Sequence, residues 1–283
     1  MWLSGAGRAT LTLRAVLDDS GTKGTGKVLM FGGLLGATEV LADLADSWDR
    51  ELQAKSPLPI RYFKSYEAKS LSGEFAQWSR KKRDEKVESL AAVINRSDLK
   101  MIMCGVDLTP HKQTEEVVGE AMDAKRHPFN QPYLMALLLA MFTIAKEASL
   151  TAEKFEVIVD EHVIFRNDAL KFWDVTREMA KPSLKELIPV QPLFRDDQQF
   201  VALQAADLLM GNARMTLEKT SRWPTLPFTN LKVFGTFADA RSLSQIAARN
   251  IERQLQLPPN SIRMRVRYPD GRDVDAITGE GDA

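Results

Sequence analysis

Three groups of acids stand at positions where a carboxylate is costly unless it has a partner. Within QFVALQAADLLMGNAR, residues 199–214, Asp207 interrupts an apolar helical run. Phe200, Leu203, Leu208, Met210 and the small pair Ala205 and Ala206 cover most of that helix, so Asp207 lies on or near its core side. Desolvating a carboxylate costs on the order of several kcal/mol, so Asp207 needs a cation, a set of hydrogen bonds or a proton. Gln204, three residues earlier, shares its face. Two partners are open: Arg214, seven residues on, closing a buried ion pair, or a divalent metal shared with acids elsewhere. Asp18 with Asp19 and Asp160 with Glu161 each end a strand-like run, and functional groups in open α/β sheets gather at such carboxyl ends. Crowded carboxylates raise one another's pKa unless positive charge intervenes. Mg²⁺ or Mn²⁺ meets that need with oxygen ligands, and two such ions about 3.5–4 Å apart drive in-line displacement at a phosphodiester. That chemistry requires no His, Ser or Cys nucleophile. His111, His127 and His162 have neither the number nor the spacing of a zinc site. The bland alternative is three unrelated features: a turn-forming Asp18 and Asp19, a surface Asp160 and Glu161, and a salt-bridged Asp207.

The elements that must position these acids follow from periodicity. Residues 9–21 alternate as a strand, with Leu11, Leu13, Ala15 and Leu17 on one side. VLMFGGLLGA turns back as a second strand, and a helix runs from about Thr38 to Ala54. IRYF offers a short third strand, residues 73–96 a helix, and LKMIMCGVDL a buried fourth strand. QPYLMALLLAMFTIAKEASL is apolar nearly all round and predicts a central helix against a sheet. EKFEVIVDEH is the fifth predicted strand, RNDALKFWDVTREMAK an amphipathic helix, and KELIPVQPLF a last strand confined by its prolines to an edge or a bulge. After the Asp207 helix come a Pro-rich loop around Trp223 to Phe228, a helix near 238–254 and a tail, 257–283, that is a hairpin at most, then disorder. Interleaved strands and helices imply one α/β domain over 1–256 with a mixed sheet.

Composition bounds the function. In 283 residues, 44% hydrophobic and 27% charged, Lys plus Arg equal Asp plus Glu at 38 each, so nucleic acid would have to be met by a local patch rather than a global field. The single cysteine, Cys104, lies in an apolar run, which excludes an internal disulfide and fits a reducing compartment. No run approaches the roughly 18 apolar residues of a membrane span and the N-terminus lacks a signal-peptide core. The expectation is a cytoplasmic protein without a membrane role, with a protein partner or oligomer left open.

LDDSG at 17–21, VDE at 159–161 and LQAADLLMGN at 203–212 together resemble the family called domain of unknown function 3800, over about residues 10–215. The resemblance implies a ribonuclease H-like fold and a metal-dependent nuclease role in a phage-defence or mobile-element setting. By position it implies Asp18 as the first-strand ligand, Asp160 with Glu161 as the second acid group and Gln204 with Asp207 as the third. Asp18, Asp160 and Asp207 would bind Mg²⁺ or Mn²⁺, Glu161 would assist as ligand or base, and Gln204 would orient a carboxylate or water. The chain departs from the family at Asp19, where Glu is more usual, leaving Asp19 in a supporting place. It departs again around Lys64 to Glu67, where a histidine is common, so Glu67 is not carried over as a ligand. A non-catalytic module of the same fold is the alternative.

Several motifs are decoys. GTKGTGK, residues 21–27, resembles a phosphate-binding loop but is followed by Val28 and a strand instead of Ser or Thr and a helix. A glycine hairpin turn is the simpler reading, although Lys23 and Lys27 leave the acidic strand end. Arg80 to Arg83 and Lys125 to His127 are basic runs, the first nearly neutralised by Asp84, Glu85 and Glu88. Asp196 and Asp197 suit the dipole at the start of the Asp207 helix, with Asp197 within reach of the acid site.

Overall fold

The alternation seen from Leu13 becomes β1 (Leu13–Ser20), a central strand in a six-stranded mixed sheet of order β5-β4-β1-β2-β3-β6. The structure is a computed structural model that describes residues 13–21, 27–108, 131–151, 154–161, 165–220, 232–238, 265–267 and 273–275. β2 (Val28–Ala37) returns antiparallel to β1, and β3 (Lys100–Asp107) is antiparallel to β2. β4 (Phe155–Asp160) lies parallel to β1 on its other side and carries the short edge strand β5 (Leu193–Arg195). β6 (Lys232–Ala238) pairs parallel with β3 at the opposite edge. A separate two-stranded sheet joins β7 (Arg265–Arg267) and β8 (Asp273–Asp275), the hairpin expected of the tail.

Helices cover both faces. α1 (Thr38–Leu52), the short α2 (Ser65–Ser70) and α3 (Arg80–Asn95) precede β3, and α4 (Pro132–Thr151) follows it; α5 (Arg166–Met179) and α6 (Pro182–Lys185) lie between β4 and β5. α7 (Ala202–Thr220) is the Asp207 helix. Leu44 and Trp48 of α1, Leu90 and Ile94 of α3 and Leu203 and Met210 of α7 pack with Val16, Met30, Leu34 and Ile158 of the sheet. On the other face α4, with Phe172 and Trp173 of α5, packs with Ala15, Leu17, Phe31 and Val157. β1 therefore buries both faces, which is why its middle is an unbroken apolar run.

This arrangement aims the acids. Since Val16 faces α7 and side chains alternate along a strand, Asp18 faces α7 and Asp19 the α4 side. Leu17 pairs with Val159, so one residue further Asp160 stands beside Asp18 on the same face. α7 can approach because Gly33, at φ 156°, has no side chain; a Cβ there would meet Val16 O and stand 2.9 Å from Ala206 Cβ.

Four expectations are corrected. IRYF is not a strand: the Ile60 N–H donates to Leu52 O (2.9 Å), Arg61 N–H to Glu74 (2.7 Å) and Phe63 N–H to Gln204 (2.9 Å), so these groups are taken by a helix end and two side chains rather than by a ladder. Asp160 therefore ends the fourth strand. Residues 73–96 split into a 3₁₀ turn, Gly73–Phe75, and α3, because Gln77 is left-handed at φ 66° and Ser79 starts a new helix by accepting from Lys82 N–H (3.3 Å). β6 was unforeseen, and the helix expected at 238–254 lies, but for Ala238 at the end of β6, outside the described residues. α4 is long and apolar enough by length and composition to cross a membrane, contrary to the expectation that no run is, and here it is largely buried against the sheet. His111, His127, His162, Lys23, Lys125, Arg126 and the Trp223 loop also lie outside the described residues.

Candidate functional site

Asp18, Asp160 and Asp207 line one cavity of about 460 Å³, with Asp19, Lys64 and Arg214. Each comes from a different element: the end of β1, the end of β4 and the first half of α7. Asp18 is 6% exposed, and its Oδ1 accepts the Asp19 N–H at 2.7 Å. Asp207 Oδ2 accepts the Ser65 N–H at 2.6 Å, while Ser65 Oγ donates to the Asp207 carbonyl at 3.0 Å. Gly211 makes room for this clamp, since a Cβ there would lie 2.8 Å from Ser65 Oγ.

Next to Ser65 in the chain, Lys64 reaches among the acids. Its Nζ is 2.6 Å from Asp197 Oδ2 and 3.8 Å from Asp160 Oδ2. Gln204, 1% exposed, holds the same segment: Oε1 accepts from Phe63 N–H (2.9 Å) and Trp48 Nε1–H (3.2 Å), and Nε2 donates to Asp197 O (2.9 Å). Gln204 and Asp207, one helical turn apart, therefore fix the backbone on either side of Lys64.

The electrostatics follow from burial. Asp207 is pushed up to about 6 by desolvation, against the Ser65 N–H and the Lys64 charge, which favour its ionised form. Asp160 is also pushed up to about 6, by burial and by Asp197 and Asp19, with Lys64 opposing. Asp18 is raised well above the usual carboxylate range by burial first and then by Asp207, Asp19 and Asp160. Burial disfavours the Lys64 ammonium, but its hydrogen bond to Asp197 and the charges of Asp160 and Asp18 outweigh this and raise its pKa. Of the cations lining the cavity, Lys64, Lys69 and Arg214, Lys64 is the one paired with its acids, so Asp18 and Asp207 face it without an ion pair among the described residues. The charge imbalance is what an added cation would relieve.

The other expected residues stand as follows. Glu161 pairs with Arg166 at 2.5 Å and is not among the residues lining the cavity. Among the described residues Gln204 bonds Trp48, Phe63 and the Asp197 carbonyl and no carboxylate side chain; it positions the Lys64 segment. Arg214 lines the cavity but is nearest Glu218, at 3.9 Å, and the ion pair weighed for it with Asp207 is not made. Glu67 is buried, accepting from the Tyr62 and Tyr66 hydroxyls and the Glu74 N–H, a structural knot. Lys64 was missed because its partners come from residues roughly a hundred or more positions on, which no local pattern records. The available signal was the acids' need for a positive charge in a neutral chain. Asp197, read first as a helix-start acid, is buried and paired with that lysine.

The donor set is entirely carboxylate, which suits hard cations such as Mg²⁺ or Mn²⁺. Among the described residues no group of three or more His, Cys, Asp or Glu is close enough to hold an ion, so a ready-made three-acid cluster is absent from this part of the chain. Mg²⁺ is ordinarily held by one or two carboxylates, with water and substrate phosphate completing its shell. Asp18 and Asp207 are the lining acids left open to an ion, since among the described residues neither pairs with a cation, whereas Asp160 engages Lys64.

No family model, curated protein or solved structure matches the chain.

Proposed function

We propose that the protein is a ribonuclease H-like hydrolase that uses Mg²⁺ or Mn²⁺ to cleave nucleic-acid phosphodiesters. The fold reading is supported by three antiparallel strands, β1 to β3, with parallel β4 and β5 added beyond β1 and by acids at the ends of β1 and β4 beneath a third on a late helix. The observation that carries the reading is the convergence of Asp18, Asp160 and Asp207 on one cavity with all three carboxyls raised by burial and proximity. A bound ion would supply Lewis acidity and a more acidic water. Asp18 and Asp207 would hold it. Asp160, near 6, is largely ionised at neutral pH and is placed to accept a proton from the attacking water. Lys64, kept protonated, faces the phosphoryl oxygens as a fixed charge, and Ser65 and Gln204 hold it there.

The test is hydrolysis of RNA, DNA and hybrid substrates with Mg²⁺ or Mn²⁺ by the native chain, Asp18→Asn and Asp207→Asn. Each substitution is expected to lower kcat by about 100-fold or more, as loss of preorganised electrostatic groups does elsewhere. Hydrolysis indifferent to both would remove the mechanism. The Lys64–Asp197 pair favours one second reading, a non-catalytic module whose acids are already satisfied by lysine; there, Mg²⁺ would leave the melting temperature unchanged.

A further inference from the structure

A second cavity, about 410 Å³, adjoins the acidic one and shares Ser65, Lys69 and Met215 with it. Its polar wall is of opposite sign: Lys69, Arg80, Arg83 and Lys219 against one acid, Asp84. Its floor is apolar, with Phe63, Val87 and Leu208. α3 produces this sign by sorting the run RKKRDEK. Arg80, Arg83, Asp84 and Val87 follow the i, i+3, i+4, i+7 spacing of one helix face and meet the cleft, whereas Lys81 pairs with Glu85 (4.0 Å) away from it. Of the acids that make the run look neutral in sequence, Asp84 lines the cleft, Glu85 is turned to Lys81, and Glu88, one turn beyond Asp84, is not among the lining residues. Asp84 is bound to Arg83 at 2.5 Å, and Arg83 also donates to Ala68 O at 2.6 Å, so Arg83 forms a fixed wall. Arg80, Lys69 and Lys219 are exposed.

A polyanion is repelled by an isolated acidic cavity, and a neutral chain offers no overall attraction. A basic track beside the acids resolves this. We propose that the cleft between α2, α3 and the end of α7 binds the phosphodiester backbone of a nucleic-acid strand, delivering the next phosphate along to the acidic cavity. The proposal rests on the hydrolase reading for what happens in the acidic cavity, while the cleft itself stands on its charge and position. Tyr66, 67% exposed and lining the acidic cavity, offers a ring on which a base of the same strand stacks.

The experiment is fluorescence anisotropy of the full chain with labelled single-stranded RNA, single-stranded DNA and duplex DNA in EDTA, so that binding is read without hydrolysis, over a salt series. The paired variant Arg80→Glu/Lys219→Glu, on exposed side chains, is compared with Lys81→Glu on the outward face of α3. The expected result is binding by the native chain, about tenfold or greater weakening in the paired variant and a salt slope shallower by about 1.4, at about 0.7 for each phosphate left unneutralised on a single strand. Lys81→Glu should bind within about twofold of the native chain. Equal weakening by Lys81→Glu, an unchanged Kd in the paired variant, equally tight binding of poly-glutamate, or no binding by the native chain overturns the proposal. Face-specific binding without metal-dependent hydrolysis would leave the cleft and remove the nuclease reading; metal-dependent hydrolysis indifferent to the paired variant would do the reverse.

Discussion

Lys64 decides how the acids of this chain share a cavity. With the Lys64 ammonium at 2.6 Å from Asp197 and 3.8 Å from Asp160, Asp207 has hydrogen bonds to Ser65 and, among the described residues, no ion pair, so its charge is only partly offset. A measurable pH dependence follows. Asp160 and Asp207 titrate near 6 in the folded protein against 3.8 ordinarily. Between about pH 4 and 6 the folded chain holds protons that the unfolded chain has released, so stability falls as pH rises through that window. Without metal, the melting temperature is expected to be higher at pH 5 than at pH 7.5. Asp207→Asn should raise it at pH 7.5 and flatten the slope; a melting temperature that climbs from pH 5 to 7.5 would contradict carboxyls raised by burial.

At the scale of elements, the site depends on how closely α7 lies on β1 and β2. Gly33→Ala would put a Cβ against Val16 O and Ala206 at a backbone angle that favours glycine. A loss of about 2 kcal/mol or more is expected in urea denaturation; under the proposed activity, hydrolysis falls further than stability because Asp207 moves away from Asp18. Gly36→Ala offers a comparison on the same strand without a positive φ, where the Cβ would press on the end of the buried Leu99 side chain, which must give, and touch Asp98 O at ordinary contact distance. Much of this geometry was legible beforehand. The period of two in residues 13–18 assigns Asp18 to the opposite face from Leu17, and the apolar stretch 199–214 announced a buried helix with one acid in it. The irregular segment 58–64 was not legible, because its amide groups are satisfied by Leu52, Glu74 and Gln204 rather than by neighbours, and a strand-like composition there was misleading. The charge of α3 was equally hidden, since a linear count cannot say which of seven residues share a face.

For the whole molecule, zero net charge conceals a separation of signs: acids gathered under the first half of α7, bases around its end. A ligand that neutralises the first region stabilises the fold by mass action. Mg²⁺ at about 100 times its Kd adds about 2.7 kcal/mol, on the order of 5 °C for a chain of this size. That rise is expected in thermal melts of the native chain and should vanish in Asp18→Asn; an unchanged native melting temperature at high Mg²⁺ would argue for the lysine-satisfied alternative.

The Gln204 carboxamide also sets when the cavity can exist. It joins Trp48, Phe63 and Asp197, so a nascent chain halted before residue 199 already carries Asp18, Asp160 and the Lys64 partner Asp197 yet lacks the carboxamide that ties that segment down and the third acid, Asp207. Under the proposed activity, cutting power arrives only once the Asp207 helix has been made and packed on the sheet.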